Sequence, residues 1–192
     1  TNIFGTLLTD PANYNVELKP EYEGIYNESE KWDGVSKLPA KIDDMNKEVT
    51  VSFPAQLAWL ADQLSSSNTY EGYTIKITED FDMNFKPLTV GTGYYSNKPS
   101  AGAKKLKAMI DFQGHSLYNV GSMLFGSIVG ENAGVKNLIV KNIEINSTTA
   151  GQALLGYVGE GAVVDNIIIE EGSIKTSQKA AGIAVALGDG TI

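Results

Sequence analysis

The chain has no cysteine and no arginine, and it has one histidine in 192 residues. Without cysteine there are no disulfides, no thiolate metal ligands and no thiol nucleophile. Without arginine the bidentate fork that usually reads carboxylates and phosphates is missing, and all 15 cationic side chains are lysines. A net charge of −8 is the wrong sign for a phosphate-binding surface, so nucleic acid is not expected as a partner. A lone histidine cannot build a multi-histidine metal site, and neither metal nor other cofactor is expected. No apolar run approaches the roughly 18 residues of a membrane span. No basic-then-apolar signal opens the chain at Thr1, which is compatible with removal of a targeting segment.

What is present is a folding composition, 42% hydrophobic and 20% charged, in a chain long enough for one cored domain. Its main feature is a repeat. Leu124-Phe125-Gly126 returns as Leu154-Leu155-Gly156, 30 positions on, and Val135-Lys136-Asn137-Leu138-Ile139-Val140 returns as Val164-Asp165-Asn166-Ile167-Ile168-Ile169, 29 on. A third copy begins at Gly182-Ile183-Ala184-Val185-Ala186 and breaks off at Gly190-Thr191-Ile192. From Tyr73 onward short β-prone runs alternate with Gly, Asn and Ser turns, about three per repeat. A fixed interval of 28 to 30 residues with three short strands is the spacing of one coil of a parallel β-helix.

The expected fold is therefore all-β: a single-stranded, right-handed parallel β-helix over residues 51–192. Coils stack about 4.8 Å apart, so Leu138 should lie over Ile167, Ile143 or Ile145 near Ile174, and Asn137 over Asn166 as an amide ladder. Gly126 and Gly156 are expected at corners. Residues 53–64 carry Phe53, Leu57, Leu60, Ala61 and Leu64 at helical spacing, with Ser52 as cap and Pro54 in the first turn, and form an N-terminal capping α-helix. Residues 1–50 read as an extended arm or linker. The repeat stops within a coil, so the domain is expected to be truncated at its C-terminus or to pair end to end at that open edge.

Four landmarks, Trp32-Asp33-Gly34, Gln56-Leu57-Ala58-Trp59-Leu60-Ala61, Ile77 to Asn84 and Asp111-Phe112-Gln113-Gly114-His115, stand in a known order. Over about residues 32–192 the chain resembles the GLUG-type, pectin-lyase-like right-handed β-helix domains of surface and secreted proteins of gut Bacteroidetes and Firmicutes. It departs from them at Phe112 and Gln113, where those domains have Gly-Asn, and at Met123, where their repeat has glycine. The resemblance implies an extracellular or outer-surface anchored setting, such as a lipoprotein, and implies no activity.

Candidate sites are few. The long insertion Gly91 to Lys105 carries Tyr94, Tyr95, Asn97 and Lys98, rings and donors suited to a glycan or a cell-surface protein. Asp80-x-Asp82-x-Asn84 begins like a calcium loop but has Phe85 and Gly91 where that loop needs Gly and Glu, so the three read as one solvent face of a strand. His115 reads as a turn residue. Asp111 and Asp165, with Glu160 third, are the carboxylates a β-helix glycosidase would use, and Lys136 or Lys141 the base of a lyase. The expected function is a non-catalytic module for adhesion or for binding glycan or protein. The alternatives are the N-terminal part of a carbohydrate-active hydrolase or lyase, and a structural stalk.

Overall fold

A computed structural model describes residues 31–92, 99–100, 102–148, 151–159, 161–177, 179–188 and 192. These form a parallel β-solenoid of about four turns with a single short helix. The first face stacks β2 (Glu48–Val51), β3 (Thr74–Ile77), β5 (Met109–Asp111), the start of β8 (Gly134–Asn146) and the start of β10 (Val163–Lys175), every step parallel. The second face stacks β4 (Phe81–Asp82), β6 (Ser116–Val120) and the middle of β8 and β10. The third stacks β7 (Phe125–Val129), β9 (Leu155–Gly159) and β11 (Ala184–Leu187), with Val90 bridged to Phe125 below them. Ahead of the stack, β1 (Lys41–Asp43) pairs antiparallel with β2, so the ladder begins inside the stretch read as an arm.

Alternation within each short strand puts one apolar residue per rung inside, and parallel register lines these up. Val49, Ile75, Ile110, Val135 and Val164 form one continuous aliphatic column, and Phe81, Leu117, Val140 and Ile169 form another. All but Ile169 are fully or nearly fully buried. Leu138 lies over Ile167, and Ile145 over Ile174, as the repeat predicts. The segments read separately as Val135–Val140 and Ile143–Ile145 are one strand that passes two corners, its pairing with β10 shifting register at the second, between Ile169 and Gly172.

Those corners are made by asparagine. Among the described residues ten non-glycine residues have left-handed φ, and six are Asn: 84, 119, 132, 137, 142 and 166. The short amide side chain tolerates this conformation and supplies its own hydrogen bonds. Asn166 Nδ2 donates to Asn137 Oδ1 at 3.0 Å, and Asn137 Nδ2 donates to Asp111 Oδ1 at 2.9 Å. At the next corner Asn142 Nδ2 donates to Asn119 Oδ1 at 3.3 Å, and Asn119 Nδ2 to Asp82 Oδ1 at 2.9 Å. Each ladder runs Asp–Asn–Asn and ends on a carboxylate, which only accepts.

Three local expectations need correction. Gly126 and Gly156 are not corners; they lie within β7 and β9, outside the left-handed residues, and Gly156 is small because the two rungs touch there. A methyl on Gly156 would overlap the carbonyl oxygen of Gly126. Ser52 does not cap the helix α1 (Pro54–Gln63), because its hydroxyl is engaged with Thr78 Oγ1 at 2.8 Å. Instead the Gln56 side chain turns back, its Oε1 accepting from the N–H of Ser52 at 2.7 Å and of Phe53 at 3.2 Å. Asp80, Asp82 and Asn84 do not share a strand face, since β4 ends at Asp82 and Asn84 turns the corner with φ +52°.

The helix buries Leu57, Ala58 and Leu60, with Leu64 just beyond, against the N-terminal end of the stack. At the opposite end the interior columns lose cover: Leu187 is 56% exposed although Val158, its partner below, is fully buried.

Replacing Asn137 by alanine should remove two side-chain hydrogen bonds and force a Cβ-bearing residue without local compensation into left-handed φ, costing about 2–4 kcal/mol by urea unfolding. Asn137→Gly should cost about 1 kcal/mol less, because it relieves the backbone and keeps the loss of the ladder. Equal losses would show that the backbone conformation is unimportant. Gly156→Ala should cost about 2–3 kcal/mol by overpacking between rungs.

Candidate functional site

Two of the places where the described surface gathers polar side chains bear on the candidate residues. The first is the outer side of the first face, where Thr50, Lys76, Asp111, Lys136 and Asp165 occupy one column. Sign alternates from Lys76 to Asp165, as cross-strand pairs favour. Asp111 is the best-placed member, with its side chain only 19% exposed. Burial raises its carboxyl, but hydrogen bonds from Asn137 Nδ2 (2.9 Å), the Gln113 N–H (2.9 Å) and Lys136 Nζ (3.2 Å) outweigh it and hold the pKa below the ordinary 3.8. Such a carboxylate is an acceptor built into a corner and is the opposite of a general acid, whose pKa must be raised.

Asp165 lies in the same column with Lys136 between, two rungs or about 9.6 Å from Asp111. The two candidate acids are thus on alternate coils. Glu160 lies outside the described residues. His115 sits in the turn after Gln113-Gly114, its Nδ1 3.1 Å from Asp80 Oδ1, while the same oxygen accepts from the Ser116 N–H at 2.9 Å. Lys141 lies over the Tyr118 ring at 5.5 Å.

The second place is a polar groove of about 320 Å³ between the 32–37 segment, α1 and the 87–91 stretch. Its first wall explains the Trp-Asp-Gly landmark. Trp32 is buried, and its Nε1 donates to Ser36 O at 3.1 Å. The Asp33 carboxylate accepts from the Ser36 hydroxyl, the Ser36 N–H (2.7 Å) and the Val35 N–H (2.8 Å), in a turn closed by Gly34 at φ +86°. Those bonds, the Ser36 hydroxyl foremost, hold the Asp33 carboxyl below its ordinary value. The second wall is α1, presenting Ala58, Ala61 and Asp62; Lys37 crosses to Asp62 at 2.6 Å. With both partners about half exposed, this ion pair adds little stability. The third wall is Leu88, Thr89 and Gly91, with Lys104 beside them.

Gly91 and Lys104 are the two roots of the insertion read as the binding loop; the Thr92 N–H donates to Lys104 O at 2.8 Å and closes it. Tyr94, Tyr95, Asn97 and Lys98 lie outside the described residues. Lys37, Asp62 and Thr89 were given no role by the sequence, because residues so far apart meet only once the helix is placed against the stack. Among the described residues no group of three or more His, Asp or Glu side chains could hold a metal. No described helix is long and apolar enough to cross a membrane.

Lowering the pH should protonate Asp111 only below its ordinary range. Its folded-state pKa is depressed, so its stabilisation is complete above the unfolded value near 3.8 and is lost as pH falls through the folded value. Asp111→Asn should therefore lose stability at pH 7 and flatten the acid limb below pH 4, measured by denaturant unfolding between about pH 7 and 2. An unchanged acid limb would mean Asp111 is not a ladder anchor.

Comparison with known proteins finds no matching family model, no matching curated protein and no matching solved structure.

Proposed function

We propose that this β-solenoid is a non-catalytic binding module of an extracellular or outer-surface anchored protein, of the GLUG-type, pectin-lyase-like kind, engaging a glycan or a cell-surface protein. The observation that carries this reading is the groove at the roots of the 91–105 insertion. There two left-handed glycines, an exposed lysine and an ion pair surround an open space, and the insertion that starts from it carries two tyrosines in its sequence. A long insertion on a rigid repeat is where such scaffolds place recognition. The polar face of the stack supports the same reading, since the Asp111 carboxylate is spent on the corner ladder and on Lys136.

A carbohydrate-active hydrolase is the second reading, favoured by one observation. Asp111 and Asp165 share a column at about 9.6 Å, close to the separation of an inverting pair. The depressed Asp111 pKa speaks against its acting as the acid.

On an array of host and plant glycans the protein should give signals that fall at least tenfold in the Tyr94→Ala/Tyr95→Ala double variant. Incubation with the same polysaccharides should release no reducing ends. Release that disappears in Asp165→Ala would establish the hydrolase, and silence in both assays would leave a stalk.

A further inference from the structure

The 88–92 stretch, bridged at Val90, is the first rung of the third face, and among the described residues only one of its two edges is paired. Val90 is fully used by the coil above: its N–H donates to Leu124 O at 2.8 Å, and its C=O accepts from the Gly126 N–H at 2.9 Å. Leu88 is held the same way through Ser122, whose Oγ accepts from the Leu88 N–H at 2.9 Å and donates to Leu88 O at 3.0 Å. In a parallel ladder consecutive residues turn their backbone groups to opposite sides. Thr89 and, where the chain bends with left-handed φ, Gly91 have no backbone hydrogen bond to any described residue, and both line the groove. The Thr89 hydroxyl is tied to Met123 O at 2.6 Å, so it does not satisfy them.

On the other faces this lower edge is closed. β1 pairs with β2 on the first face, and Lys31 bridges to Asp82 on the second, followed by the Trp32 N–H donating to Asp82 O at 2.8 Å. On the third face the next element down is α1, which presents only Ala58 and Ala61 and the Lys37–Asp62 pair across the gap. The small side chains of Ala58 and Ala61 leave an open space of about 320 Å³ beside this edge. An uncovered strand edge of this kind is a template for strand addition.

We infer that this groove binds an extended acidic segment of a partner protein, which adds as a strand alongside Thr89–Gly91. The choice of occupant follows from charge. Asp62 is already neutralised by Lys37, whereas exposed Lys104 has no carboxylate partner among the described residues, and the Lys86 stem lies beside Gly34 on the opposite rim. In a chain of net charge −8 this is a local cationic site that a few acidic residues match and a long polyanion does not. The inference rests on reading the domain as a binding module and names its partner.

A display library of random octapeptides, selected against the purified chain, tests it. Selected peptides should alternate β-branched residues with Asp or Glu and should slow hydrogen exchange at the Thr89 and Gly91 amides. Lys104→Glu should weaken them about fivefold, and Ala61→Leu should abolish binding by filling the gap. Lys104→Glu changes only an exposed side chain, so it remains decisive if Ala61→Leu fails to fold. Failure to select any peptide overturns the inference, as do peptides that leave both amides unprotected or are indifferent to Lys104→Glu. A glycan signal without peptide binding overturns this inference alone, whereas loss of both overturns the binding-module reading with it.

Discussion

A solenoid stands or falls on every coil turning its corner at the same height, because a one-residue slip in a strand sends its interior side chains to solvent. In this chain that constraint is met by Asp111–Asn137–Asn166 and Asp82–Asn119–Asn142, side-chain chains that run parallel to the stack. Each asparagine does two jobs. Its backbone accepts left-handed φ, and its amide bonds to the corner residue below, Asn137 and Asn119 being bonded from above as well. The aliphatic columns Val49 to Val164 and Phe81 to Ile169 supply the greater burial and penalise a one-residue slip, but a slip of two residues would keep the same face inside. Register comes from the corners.

The same constraint determines what the surface can do. Once Asp111 heads a ladder and pairs with Lys136, and Asp82 heads the other, the most prominent carboxylates of the stack are structural. Chemistry is then left to the places where the coil pattern is interrupted, and one such place lies where the capping helix, the Trp32–Lys37 turn and the roots of the 91–105 insertion meet. The Leu38 N–H donates to Ala55 O at 3.1 Å, and Pro39 O accepts from Gln56 Nε2 at 3.2 Å, so the segment after the turn is tied to the helix.

The part of this legible in sequence is the part that repeats at constant interval. Asn137 and Asn166 are 29 apart and read directly as a ladder. The steps Asp111 to Asn137 (26) and Asp82 to Asn119 to Asn142 (37 and 23) belong to the same ladders but are hidden by insertions of different length between rungs. Glycine was ambiguous for a different reason. The same residue serves left-handed turns, as at Gly91, and close contact between rungs, as at Gly156, and the letter does not say which. The groove was the least legible feature, since Gly34, Ala61, Thr89 and Lys104 are brought together by placement of the helix and by nothing local.

The dependence of register on the corner ladder is tested most directly by a double-mutant cycle between Asp111 and Asn137, which avoids attributing to the ladder what belongs to either residue alone. With Asp111→Ala and Asn137→Gly measured singly and together by denaturant unfolding, a genuine ladder predicts a coupling of about 1 kcal/mol, the double variant losing less than the sum. Additivity to within about 0.3 kcal/mol would contradict it, leaving the aliphatic columns to set the register.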